Sequence, residues 1–180
     1  MEAALDIQPD DVGPDYAFSL TPAERRVFKA KENFTVSEHA DQHRQVTRGP
    51  WKGQWSTINT EYSRFPMDLW NKPWIRKIFM CWAPQTAKTQ VALNCLHYAI
   101  DQDPDTAFYV MSTEWTTRRI KQKQIDPMIT SSPRVADLLL DNTNYSIQFK
   151  NGMDLMLAWA TSVAALASES ARYMFFDEVD

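Results

Sequence analysis

Apolar positions fall along this chain in short blocks whose period changes from one block to the next. Residues 75–81 (Ile-Arg-Lys-Ile-Phe-Met-Cys) form a first apolar run that predicts a buried strand. A polar loop follows, and then Gln90 to Ile100 brings Val91, Cys95, Leu96, Ala99 and Ile100 together at helical spacing. After the acidic turn Asp101-Gln102-Asp103-Pro104-Asp105, residues Ala107 to Met111 predict a second strand with both faces buried. Glu114 to Ile125 reads as a helix and Pro133 to Asp141 as a shorter one. Tyr145–Phe149 and Met153–Trp159 read as a hairpin around Asn151-Gly152, a turn-forming pair. The last block, Tyr173 to Phe176, is apolar and runs straight into Asp177-Glu178. Strand–helix–strand alternation predicts an α/β fold with a parallel sheet flanked by helices, and the hairpin is expected on its edge.

Upstream of this alternation the pattern weakens. Residues 1–19 are acidic, carry Pro9 and Pro14, and have no periodicity, which predicts a flexible arm. Thr21-Pro22-Ala23-Glu24 is a helix opening, with threonine as cap, proline in the first helical position and glutamate closing a capping box. A second helix is expected from Ser37. The expected organisation is the arm, a helical and irregular region over 20–73, and an α/β region over 74–180. The 180 residues suffice to bury a core. The net charge of −4 argues against a dedicated basic nucleic-acid module but allows a local patch. Cys81 and Cys95 fall in the first strand and first long helix, where they are expected as buried small hydrophobes. No apolar run is long enough to span a membrane, and no signal sequence is recognisable, so a soluble intracellular protein is expected.

Two stretches carry chemistry only when taken together. Pro84-Gln85-Thr86-Ala87-Lys88-Thr89 lies between the first strand and its helix, and Asp177-Glu178 ends the last strand. Backbone N–H groups at a helix start bind phosphate, and a lysine and a hydroxyl there complete a phosphate loop. Lys88 is expected on the β- and γ-phosphates of ATP and Thr89 on Mg²⁺. Asp177 is expected to hold the metal and Glu178 to orient and polarise the attacking water. The usual loop reads G-x-x-x-x-G-K-[ST], yet Trp82 and Ala87 stand at its glycine positions. None of the four glycines (Gly13, Gly49, Gly53, Gly152) lies in the loop. Ala87 must then adopt a conformation glycine normally takes, or the loop must run differently. The plainer alternative for the loop alone is an ordinary helix start with Thr86 as N-cap.

From about Asn33 onward the chain resembles the large subunits of tailed-phage terminases, the lambda type in particular. The residues that carry this resemblance are, in order, Ser37-Glu38-His39-Ala40-Asp41, Trp51, Arg64-Phe65-Pro66-Met67-Asp68, Gln85 to Thr89, Ser162 to Ser168, and Ala171-Arg172-Tyr173 leading to Asp177-Glu178-Val179-Asp180. The resemblance implies a P-loop NTPase-like fold of the class with a separate catalytic glutamate. It also implies an ATPase that drives double-stranded DNA into a procapsid, acting as a homo-oligomer with a small terminase subunit and a portal protein in the host cell cytoplasm. Members of the family also carry a C-terminal nuclease. Pro84 stands where some terminases have a loop arginine. In such ATPases the strand between the loop strand and the acidic strand comes later in sequence than Asp180. The sheet is therefore expected to be incomplete at its C-terminal side, with weak nucleotide binding, little hydrolysis and no nuclease in this stretch.

Other features carry two readings each. His39 and His43 stand four apart on one helical face, spacing that suits zinc; without a third ligand a polar face is the expectation. Trp51, Trp55, Tyr62, Phe65, Trp70 and Trp74 are interleaved with Arg48, Lys52 and Arg64 and can stack bases; packing under the sheet edge is expected for most. Tyr62 and Arg64 lie where translocases of this class hold adenine. Arg118, Arg119, Lys121 and Lys123 make the most basic stretch, read as a solvated face or as contacts to DNA or to a neighbouring subunit's nucleotide. Two rival classes remain: a helicase-like ATPase, because Asp177-Glu178-Val179-Asp180 matches D-E-x-D, and a non-catalytic assembly module with a degenerate loop.

Overall fold

The computed structural model describes residues 34–162 and 170–178. The arm, the Thr21 helix and residues 163–169 of the segment leading to the acidic strand lie outside them.

Helix α1 (Val36–His43) begins where Thr35 accepts a hydrogen bond from the Glu38 N–H and the Glu38 carboxylate accepts one from the Thr35 N–H. This capping box satisfies two of the helix-end donors reciprocally. Strands β1 (Gln45–Val46) and β2 (Gly53–Gln54) form a small antiparallel ribbon. A 3₁₀ segment, Thr57–Ser63, leads into α2 (Arg64–Leu69). The longest described helix, α3 (Lys88–Gln102), buries Val91, Leu93, Cys95, Leu96, Ala99 and Ile100. Next come β3 (Thr106–Met111) and α4 (Glu114–Ile120). A widened π turn over Lys121–Ile125 joins α4 to α5 (Asp126–Ser131) and α6 (Pro133–Ala136). The remaining strands are β4 (Leu139–Asn142), β5 (Ser146–Phe149), β6 (Asp154–Trp159) and β7 (Tyr173–Phe176).

The five-stranded sheet runs β4-β5-β6-β3-β7. Strands β6, β3 and β7 are parallel, with Tyr109 facing Leu157 on one side and Phe175 on the other, and β5 is antiparallel to both neighbours. One core covers a single face. It joins Val36, Ala40, Trp55 and Met67 from the N-terminal elements to Leu96 of α3, Tyr109 of β3 and Leu155 of β6. Each fully buried aliphatic side chain there contributes about 1.5–3 kcal/mol. Phe108, Val110 and Ala158 point to the opposite face.

Several sequence expectations are corrected. Residues 75–81 form no strand: no described strand pairs with them, and Phe79 is 83% exposed. Arg76 and Lys77 interrupt the apolar run, and strand geometry depends on a ladder partner that local sequence does not supply. Cys81 is accordingly exposed, while Cys95 is buried as expected. The β5–β6 hairpin is not an edge appendage, because β6 pairs directly with β3 inside the parallel part of the sheet. The Pro133 helix ends at Ala136 because Leu139–Asn142 is drawn into pairing with β5. His39 lies on no polar surface: it is fully buried and bonded to Asp101 at 2.8 Å. No group of three or more His, Cys, Asp or Glu side chains placed to hold a metal ion occurs among the described residues. Of the aromatics, Trp55 is buried and Trp70 stacks on Phe175 at 5.3 Å, under the sheet edge as expected; Trp51, Tyr62, Phe65 and Trp74 are exposed instead. Among the described residues no helix is long and apolar enough to cross a membrane.

Candidate functional site

The loop that opens α3 has an unusual backbone for residues with side chains. Gln85 has φ of 61° and Ala87 has φ of 62° with ψ of 20°, both in the left-handed region that favours glycine. Of the two alternatives open for Ala87, the glycine-like conformation is the one adopted. Thr86 does not cap the helix; its hydroxyl donates back to the Ala83 carbonyl at 2.6 Å. Ala87 occupies the N-cap position and has no side-chain acceptor to offer, so no side chain caps α3. The first N–H groups of the helix therefore remain open to an external acceptor. Lys88 folds back, donating from Nζ to the Trp82 carbonyl at 2.9 Å. Pro84 and Gln85 are exposed at the loop's tip.

Next to this loop the fold closes a contact between distant parts of the chain. The Thr89 hydroxyl donates to Asp177 Oδ2 at 2.8 Å, across 88 positions of sequence. The same carboxylate oxygen accepts from the Tyr109 hydroxyl at 3.0 Å. Asp177 is held by the sheet itself, since its N–H bonds the Val110 carbonyl at the end of β3. Burial, and then the charge of Asp177, push the Tyr109 phenol well above its ordinary pKa, so it stays protonated and donates. Glu178 follows with φ of 50°, a third non-glycine residue at positive φ, and a cleft of about 470 Å³ lies beside it. Thr89, Asp177 and Glu178 all line this cleft, whereas Lys88 and the loop before it do not.

The remaining expected site residues divide. Tyr62 reaches the loop: its hydroxyl donates to the Thr86 carbonyl at 3.4 Å and its ring meets Trp82 edge-on at 5.4 Å. Arg64 is instead paired with Glu61 at 2.8 Å on an exposed surface and does not line the cleft. In the basic stretch, Arg119 and Lys123 line the cleft. Arg118 is engaged by Glu114 at 2.6 Å and by the Tyr145 hydroxyl at 2.8 Å. Lys121 is buried, with Asp126 and Asn142 around its ammonium, and is not presented to a polymer at the surface.

Sequence reasoning missed Tyr109, Arg44, Gln90 and Gln124. A tyrosine inside the otherwise apolar run 107–111 was the available signal, because a buried phenol needs a hydrogen-bond partner. Gln90 Nε2 donates to Gln124 Oε1 at 2.8 Å, tying the first turn of α3 to the π turn beside the cleft. No comparable signal marked Arg44.

The oxygen donors gathered here suit a hard divalent cation: a hydroxyl and a carboxylate in contact, with a second carboxylate beside them. Beside them lie an uncapped helix start and a lysine in reach of the same loop, a set that can receive a phosphorylated ligand. The family model described as phage terminase large subunit gpA, ATPase domain, matches residues 49–180. No curated protein matches the chain.

Proposed function

Because the chain belongs to the phage terminase large-subunit ATPase family, we propose that it binds and hydrolyses ATP at the Lys88–Thr89 and Asp177–Glu178 cluster to drive DNA packaging. In this reading the fold is a P-loop ATPase, with residues 84–89 as the phosphate loop and the end of β7 as its acidic partner. The observation that carries it is the Thr89–Asp177 contact at 2.8 Å, which joins the two motifs into one site. The uncapped start of α3 supports it, as does the left-handed backbone of Ala87, which gives the loop a glycine-like turn without glycine.

The roles follow from the chemistry of each group. Lys88 leaves the Trp82 carbonyl to neutralise β- and γ-phosphate oxygens. Thr89 and Asp177 are the residues that would hold Mg²⁺, which supplies charge neutralisation on the phosphates. Tyr109 keeps the Asp177 carboxylate oriented. Glu178 positions a water and accepts its proton as the bond to the γ-phosphorus forms. Tyr62, in contact with the loop and with Trp82, borders the adenine.

Duplex DNA is the polymer moved, through exposed basic positions such as Arg118. The small terminase subunit, docking on the region over 20–73, and the portal protein are the assembly partners, and neighbouring copies form the working ring in the host cell cytoplasm. No nuclease is assigned to the described residues. ATP turnover tests the reading. Glu178→Gln should retain Mg²⁺-ATP binding while turnover falls at least about a hundredfold, and Asp177→Asn should lose both. Wild-type turnover by Glu178→Gln would remove the assignment.

A further inference from the structure

Arg44, the residue after α1, is 3% exposed, and no carboxylate pairs with it among the described residues. Its guanidinium donates to the Gln45 carbonyl and, from Nη2, to Gln90 Oε1 at 3.3 Å; Nε has no partner. Burial alone lowers its pKa to about 10, still charged at neutral pH. A buried cation with neutral partners and one idle N–H is costly unless an anion completes it. Gln90, which holds it, is the residue immediately after Thr89.

Arg44 also lines the cleft that contains Thr89, Asp177 and Glu178. Arg48, Arg119 and Lys123 stand in the same lining, so four cations face two carboxylates there. Arg119 lies over the Trp115 ring at 5.1 Å, and no carboxylate pairs with it, Arg48 or Lys123 among the described residues. These cations share the cleft lining with Thr89, and the loop tip is not part of that lining.

We propose that Arg44 is a built-in anion receptor for a phosphoryl group in this cleft, the terminal phosphate of the bound triphosphate or the inorganic phosphate released from it, with Arg48, Arg119 and Lys123 as its rim. The planar guanidinium fork suits phosphate oxygens, and its tie to Gln90 holds it ready before the ligand arrives. This rests on the nucleotide reading above and adds a discriminating role to it: Lys88 serves di- and triphosphates alike, whereas Arg44 serves only the γ-phosphate or the phosphate released from it.

Calorimetric titration of a non-hydrolysable ATP analogue, ADP and inorganic phosphate, each with Mg²⁺, separates the possibilities. Arg44→Gln should weaken the triphosphate analogue and inorganic phosphate at least about tenfold and leave ADP nearly unchanged, with Arg44→Lys intermediate. Lys88→Ala should weaken the analogue and ADP together. Equal losses for ADP and the analogue in Arg44→Gln, or no loss in either, would overturn the receptor role while leaving the nucleotide site standing. Phosphate binding that needs Arg44 in a protein that binds no nucleotide would keep the receptor and remove the ATPase reading. A wild-type protein that binds neither overturns both.

A stability measurement guards against a misfolded variant. Without ligand, Arg44→Gln should melt no lower than wild type, because it removes an uncompensated buried charge; a clear drop would mark Arg44 as structural. If that variant does not fold, the wild-type protein decides. Phosphate at constant ionic strength should raise its melting temperature, and no shift with phosphate or with the triphosphate analogue overturns the proposal.

Discussion

Ala87→Gly should stabilise the protein, although glycine substitutions usually do the opposite. Ala87 has φ of 62° and ψ of 20°, where a Cβ crowds the following carbonyl at a cost of roughly 1–2 kcal/mol. It is also the N-cap of α3, a position where glycine outranks alanine by about 0.5 kcal/mol. Against these stands the added freedom of glycine in the unfolded chain, about 0.4–1 kcal/mol. The net is a gain of about 1 kcal/mol, or about 2–4 °C in melting temperature for a domain of this size. Ala92→Gly, inside the same helix, is the control and should cost about 1 kcal/mol. Thermal melting followed by circular dichroism reads both. Opposite signs support the left-handed backbone at Ala87; a loss in Ala87→Gly as large as in Ala92→Gly would refute it.

Tyr109→Phe deletes a buried hydrogen bond to the Asp177 carboxylate and should lower unfolding stability by about 1.5–3 kcal/mol; an unchanged urea midpoint would show that the bond contributes nothing. Acid should destabilise the fold in two stages. Burial, and then the neighbouring charges of His39 and Arg44, hold the His97 pKa well below 6.5, so the folded state favours the neutral ring. That contribution is present above pH 6.5 and is lost as pH falls through 6.5 toward the depressed folded value. Burial raises the Asp101 pKa, but the hydrogen bonds from His39 and Gln102 and the charge of Arg134 outweigh it and hold it at about 2 against 3.8. Its contribution is present above 3.8 and is lost between 3.8 and about 2. Urea midpoints across pH should show both stages; His97→Leu should remove the first and Asp101→Asn the second, and a flat profile between pH 7 and 5 would contradict the His97 assignment.

The sequence made the site's chemistry legible because two of its signals are local. A lysine and a threonine at the mouth of a helix, and carboxylates at the end of an apolar strand, are each readable locally, and only as a pair do they point to one chemistry. The structure then placed Thr89 and Asp177 in contact. Elements fixed by non-local pairing were harder to read. Residues 75–81 have a strand's composition but no described partner, and β6 is central only because β3 lies beside it. Side chains whose environment contradicts their usual preference were not visible at all. His39 and Arg44 look like ordinary surface residues in α1 and just after it, yet both are buried by packing against α3. Their importance comes from desolvation, which composition and spacing do not encode.

The glycine-free loop and the acidic strand end should work as one nucleotide site. The most direct test is titration calorimetry of Mg²⁺-ATP against this protein and against Lys88→Ala. Saturable binding that the substitution abolishes is expected. Heat that is absent from the wild-type protein, or unchanged in Lys88→Ala, would contradict this.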